Sequence, residues 1–358
     1  LFSSFGYEIK SIWTLNIILP VGISFYTFQT MSYTIDIYRK KLKPTKDFIS
    51  FASFVSFFPQ LVAGPIERAT NLLPQILNKR EFRYEQGVQG LRLILWGLFK
   101  KVVIADSLSP IVDDIFSNYQ DFSGGTLWLG AIYFAFQIYC DFSGYSDIAI
   151  GTSKLFGFEI MSNFRFPYFS RNIGEFWRRW HISLSTWFRD YLYIPLGGSK
   201  EGKWKSIRNI FVIFIVSGFW HGANWTFIFW GLFHSILFLP SFFFKTNRKY
   251  VSSVIVENTL LPNGKEFFQV LITFILVTIG WAFFRSETIS DSFNFLTQLN
   301  FDFNFTFVNK LPLIILFIFL EWIFRKDERK IYSNFSARLL VDLVLFYLII
   351  GFINNNKP

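Results

Sequence analysis

Residues 207–240 read IRNIFVIFIVSGFWHGANWTFIFWGLFHSILFLP, two long apolar runs separated by a turn that begins with a histidine. Ile207 to Trp220 and Trp225 to Pro240 are dense in Phe, Ile, Leu and Trp, and Arg208 is their only charged side chain besides the histidines. A membrane-spanning helix needs about 20 mostly apolar residues. Two such runs joined by His221-Gly222-Ala223-Asn224 predict a helical hairpin in a bilayer. The ~14 residues of the first run rise about 21 Å at 1.5 Å per residue, short of a ~30 Å hydrocarbon core. His221 is therefore expected inside the membrane thickness, at the foot of an outward-facing depression.

The same pattern recurs on both sides of this hairpin. Further candidate spans are Ile12 to Ile37 (bent near Pro20 and Gly22), Val88 to Leu108, Leu127 to Phe142, Ser146 to Phe158, Phe267 to Phe284, Leu311 to Phe324 and Leu339 to Phe352. Phe48 to Ile66 contains Pro59 and Gly64-Pro65. It predicts a broken or re-entrant segment, which a bilayer tolerates only where protein covers the backbone. Asp141 to Asp147 reads as a hydrogen-bonded turn linking two helices, with ion or substrate binding as the other reading. Ile173 to Tyr193 mixes Glu175, Arg178, Arg179, His181, Arg189 and Asp190 with aromatic residues, which predicts an amphipathic helix at the interface or dipping into the interior.

Only 17% of the 358 residues are charged, against about a quarter in a soluble domain. That deficit favours one all-α, polytopic membrane domain over residues 1–358. The chain starts at Leu1 with no signal-peptide pattern, and N-terminal truncation is the expectation. The net charge of +10 sits in clusters at 39–46, 78–83, 200–208, 245–249 and 325–330, whereas the turns at 113–126, 222–226 and 286–309 hold no Lys or Arg. This is the alternation of positive-inside topology and not a nucleic-acid patch. The one cysteine, Cys140, excludes an internal disulfide and a cysteine-rich metal site.

Chemistry narrows to three histidines, His181, His221 and His234. An ionisable side chain at membrane depth is costly and marks function by default. His221 is either a proton acceptor for an attacking hydroxyl or a helix-end residue bonded to a carbonyl, and spacing does not separate the two. His181 alone reads as an interfacial histidine. His234, mid-span, reads as a packing residue that hydrogen-bonds Ser or a backbone carbonyl of a neighbouring helix. Arg178, Arg179 and Arg189 could hold phosphate or carboxylate groups or simply meet lipid headgroups. No P-loop, GxGxxG, GxSxG or HExxH motif is present.

Several stretches in order carry a resemblance. They are Ile23 to Gln29, Phe57-Phe58-Pro59-Gln60-Leu61-Val62-Ala63-Gly64-Pro65-Ile66, Tyr139 to Asp147, Phe176-Trp177-Arg178-Arg179-Trp180-His181 with its continuation to Ser199, and Gly218 to Trp225. Over roughly residues 15–285 the chain resembles the membrane-bound O-acyltransferase family, most closely its alginate-acetylating branch. That resemblance implies a ring of transmembrane and re-entrant helices around a funnel or tunnel. It places His221 at the family's catalytic histidine and His181 at its second active-site histidine. Asn224, Trp225, Arg189, Asp190, Trp180 and Ser185 are the expected substrate contacts.

The implied activity is transfer of an acyl group, acetyl first among them, for O-acetylation of a surface or secreted polysaccharide. The donor would be acetyl-CoA or another acyl thioester, with no bound cofactor and no metal. Implied partners are membrane lipids, the acceptor polysaccharide and a periplasmic acyltransferase, with no nucleic acid, in a multi-pass protein of the bacterial cytoplasmic membrane. Rival readings are teichoic-acid D-alanyl transfer, peptidoglycan O-acetylation and, from another class, a polysaccharide or lipid transporter. A transporter would favour an internal repeat, and none is seen.

Overall fold

The structure, a computed structural model, describes residues 22–250, 255–256, 261–300, 302, 304–329 and 338–355. Part of the first expected span, from Ile12 to residue 21, lies outside the described residues. Those described are helical, with no strand among them. In chain order the helices are α1 (Ile23–Tyr38), α2 (Phe48–Val55), α3 (Ala69–Leu77), α4 (Tyr84–Leu98), α5 (Asp106–Ser117), α6 (Gly124–Leu155) and α7 (Ile173–Arg179). There follow α8 (Ile182–Phe188), α9 (Lys203–His221), α10 (Trp225–Phe243), α11 (Gly264–Arg285), α12 (Ile289–Thr297), α13 (Leu311–Phe324) and α14 (Arg338–Asn355). Two of them, α10 and α11, are long and apolar enough to cross a bilayer by length and composition.

The 32-residue α6 corrects the expected turn at Asp141–Asp147, because the helix runs through that stretch without a break. It replaces two candidate spans by one rod of about 48 Å. Asp and Ser disfavour helices because their side chains compete for the backbone, and Gly because of its backbone freedom, but here the carboxylates have partners on the neighbouring α4–α5 segment. Lys100 Nζ lies 2.6 Å from Asp147 Oδ2 and donates to Ser143 Oγ at 2.9 Å. Lys101 Nζ reaches Asp141 Oδ1 at 2.5 Å and Asp106 Oδ1 at 2.9 Å. Both lysines sit on a π-helical stretch, Phe99–Ala105, that joins α4 to α5. Widening the helix there lets adjacent residues 100 and 101 both reach α6. Tyr139, one turn from Ser143, donates to Glu321 Oε1 of α13 at 2.6 Å, so the same interior ties in a third element.

Along their length α4 and α6 meet backbone to backbone. A Cβ on Gly97 would stand 2.5 Å from the Gly144 carbonyl oxygen, and one on Gly90 would stand 2.6 Å from that of Gly151. Small residues at such crossings are the rule where lipid offers no hydrophobic drive for helix association. A second glycine-mediated pair, α9 and α10, is closed by Gly218 against Phe227 and Gly231 against Phe214.

Two other expectations change. Ile173 to Tyr193 is not one amphipathic helix: α7 stops at Arg179, the chain bends at His181, and α8 ends in a π-helical turn over Arg189–Tyr193. Most of it is interior, with Glu175 and Ser183 fully buried. The helix before His221 starts at Lys203, four residues earlier than Ile207, and includes His221. Its 19 residues rise about 28 Å, so helix length no longer argues for a histidine within the membrane thickness. Phe48 to Ile66 is broken as expected, with α2 ending at Val55 and a 3₁₀ turn over Phe58–Gln60.

The glycine contact yields a test. Gly97→Ala should lower the thermal midpoint of purified protein in detergent by an amount matching the ~1–3 kcal/mol cost of overpacking. An unchanged midpoint would show that the two helices can part.

Candidate active site

His181 is fixed by the loop that precedes it. Asn163, fully buried, donates through Nδ2 to Ser146 Oγ of α6 at 2.9 Å and accepts at Oδ1 from Ser183 Oγ at 2.6 Å. Its carbonyl accepts from Ile182 N at 2.8 Å. These bonds seat the bend between α7 and α8, where His181 takes a left-handed backbone (φ 43, ψ 55). That conformation costs a non-glycine residue about 1–3 kcal/mol and persists only where the surroundings over-determine it. Ahead of the bend, the buried carboxylate of Glu175 receives Arg171 Nη2 at 2.9 Å and Arg179 Nη2 at 2.8 Å. One anion thus clamps two cations and holds α7 inside the protein.

His221 ends α9. Its ring packs edge-on to Trp220 (centroids 4.9 Å apart), Phe284 (5.0 Å) and Trp230 (5.4 Å). Trp220 bridges the two histidines, with its centroid 5.9 Å from His181. Both imidazoles line one cavity of about 720 Å³. His181 is 4% exposed, and its Nε2 has no hydrogen-bond partner.

The cavity follows a single face of α9: Lys203, Ile210, Phe214, Ser217 and His221 all line it, at the three-, four- and seven-residue intervals that share a helix face. Lys203 and His221 stand at opposite ends of this helix. The remaining cationic lining is Arg178, Arg189, Lys245 and Arg248, and no carboxylate lines the cavity among the described residues. The space can therefore take an elongated ligand with anionic groups at one end and a reacting centre at the other. A smaller cavity of about 400 Å³ lies on the far side of Phe227 and Phe284 and is lined by Asn224, Asp141 and Arg285.

Of the residues singled out from sequence, His181, His221, Trp180, Ser185 and Arg189 come together on the large cavity. Asp190 does not line it; its carboxylate pairs with Arg189 at 2.7 Å and Arg68 at 3.8 Å. Asn224 caps α10 by accepting from Thr226 N and donates to the Glu287 carbonyl at 2.9 Å, which places it on the smaller cavity. Trp225 is 37% exposed at the start of α10 and lines neither cavity. Arg179 is taken by Glu175, whereas Arg178 lines the cavity with Nε and Nη2 buried and unpartnered. His234 packs as expected, fully buried among Trp177, Trp230 and Phe233, but without the expected hydrogen bond. Neither of its ring nitrogens finds a hydrogen-bond partner.

Sequence reasoning missed Ser217, Lys203, Lys245 and Arg248 as cavity residues. The last three belong to the basic clusters at 200–208 and 245–249, whose charge pattern by itself signals only topology.

This arrangement now meets the known proteins. The profile of the membrane-bound O-acyltransferase family matches residues 39–254. A protein of Azotobacter vinelandii named "Probable alginate O-acetylase AlgI" is 43% identical over 287 residues, covering 80% of this chain and 54% of that protein. Its namesake in Pseudomonas aeruginosa is 39% identical over 341 residues, 94% of this chain and 58% of that one. The "Peptidoglycan O-acetyltransferase" of Helicobacter pylori is 38% identical over 309 residues, 79% and 57% respectively. The chain belongs to the membrane-bound O-acyltransferase family, and it spans little more than half the length of these relatives.

Removing the Glu175 charge tests the scaffold separately from the chemistry. Glu175→Gln breaks a buried ion cluster, which typically costs about 3–5 kcal/mol. The protein should melt well below the parent in detergent, and an unshifted melt would contradict the clamp.

Proposed function

We propose that this chain forms the membrane core of an O-acyltransferase that acetylates the hydroxyl groups of a surface or secreted polysaccharide. The carrying observation is the cavity itself, with two imidazoles at one end of α9 and cations without carboxylates along the rest. A thioester donor such as acetyl-CoA enters from the basic side, its phosphates against Lys203, Lys245 and Arg248 and its acyl group toward His221. His221 accepts the proton of the acceptor hydroxyl as the oxygen attacks the acyl carbon. The C–S bond breaks, and the departing thiolate takes that proton, leaving a free thiol and an O-ester. His181, through its unpartnered Nε2, donates a hydrogen bond to the acyl oxygen as charge builds there.

The acceptor approaches from the smaller cavity beside Asn224, and Phe227 and Phe284 form the partition between the two routes. The basic clusters face the cytoplasm, in a multi-pass protein of the bacterial cytoplasmic membrane. The hydroxyl that attacks at His221 is carried by a periplasmic acyltransferase, which passes the acyl group on to the polymer. The alginate-acetylating relatives at 39–43% identity support an alginate-like acceptor. The Helicobacter pylori relative at 38% supports peptidoglycan as a second reading, and ester analysis of each polymer from a deletion strain separates the two.

His221→Ala in the full-length protein should lower acetyl-ester formation roughly 10²–10⁴-fold, the usual range for losing a general base, while the thermal midpoint stays near the parent value. Full activity in that variant removes the proposed role. His181→Asn keeps a residue at ease in the left-handed region and should lose less than His221→Ala.

A further inference from the structure

A second cavity, of about 590 Å³, lies outside the histidine site and shares only Arg178 with it. Among the described residues its lining is strongly cationic: Arg165, Arg178, Arg179, Arg325, Lys326 and Arg329 against two carboxylates. Those carboxylates already have partners, since Glu328 receives Arg165 at 3.0 Å and Asp327 accepts from the backbone N–H of Arg329 at 2.9 Å. Arg325 donates to the carbonyls of Trp322, Ile255 and Val256.

Arg178 lines this cavity, and its Nε and Nη2 atoms are buried and without a partner. That pair forms the edge with which a guanidinium grips two oxygens of a phosphate or carboxylate at once.

The surroundings name the molecule that brings the anion. On α13, Ile315, Phe319 and Ile323 are exposed at 58%, 59% and 39%. Their four-residue spacing makes an apolar stripe leading to the end of the helix. Arg325 and Lys326 follow at once, and Lys326 is exposed. An acyl chain laid on this stripe puts a negatively charged headgroup at the cavity. Basic pockets at the cytoplasmic ends of membrane helices bind anionic lipid headgroups in this way.

We infer that this cavity is a headgroup site for an anionic phospholipid whose phosphate lies on the free edge of Arg178 and whose chains run along α13. The assignment rests on the membrane orientation proposed above and not on acyl transfer. Because Arg178 lines both cavities, an occupied headgroup site holds this guanidinium at the wall of the histidine cavity and couples lipid composition to donor binding.

The test is native mass spectrometry of the full-length protein in non-ionic detergent, with equal amounts of phosphatidylglycerol and phosphatidylcholine of matched chains. The wild type should retain phosphatidylglycerol preferentially. Arg178→Gln and, independently, the surface variant Lys326→Gln should each weaken retention roughly fivefold. The lipid assignment is overturned by equal retention of the two lipids, or by retention unchanged in either variant. It is also overturned if inorganic pyrophosphate raises the thermal midpoint while phosphatidylglycerol shows no preference, which would reassign the cavity to a soluble phosphate. Loss of acetylation in Arg178→Gln with lipid retention intact would leave the catalytic reading standing and remove this one.

Discussion

A charge that cannot reach water must find its counter-charge inside the protein, and that constraint organises this chain more than any single hydrophobic contact. Lys100 is 3% exposed and would be prohibitive alone in an apolar interior. Paired with Asp147 and bonded to Ser143, it becomes the fastener between the α4–α5 segment and α6. Glu175 does the same for α7 by holding Arg171 and Arg179. In each case truncating one partner strands the other in a medium where isolated charge costs several kcal/mol. The polar residues of the interior are therefore interdependent, and the aromatic packing fills the space they define.

The histidine site inherits its geometry from these fasteners. α7 is anchored by Glu175, the bend after it by Asn163, and the far wall by the glycine-closed pair α9 and α10. His181 and His221 come from segments forty residues apart, and they meet around Trp220 because each belongs to an element that is already immobilised. Preorganisation of this kind lets a weakly basic side chain act without first reordering its neighbours.

How much of this the sequence discloses depends on the range of the interactions. The helical class, the broken segment at Phe48–Ile66 and the hairpin around His221 all follow from local apolar patterning. His181 and His221 as the residues of interest follow from scarcity and from resemblance. The continuity of α6 does not follow, because Asp141, Gly144 and Asp147 carry breaker character until Lys100 and Lys101 arrive from forty residues away. Nor does the bend at His181, which hangs on Asn163 and Ser146. The place of Lys203, Lys245 and Arg248 on the cavity wall is hidden for another reason: one-dimensional charge counting assigns a lysine to a side of the membrane and is silent about what it faces.

The left-handed backbone at His181 has a practical consequence for dissecting the site. With φ at 43°, residues branched at Cβ are penalised for their shape before any chemistry is lost. Asparagine and glycine accept the bend, the first with a small amide and the second with no side chain at all. Comparing replacements at this one position thus separates what the imidazole contributes from what the corner contributes, a distinction that a residue in ordinary backbone does not permit.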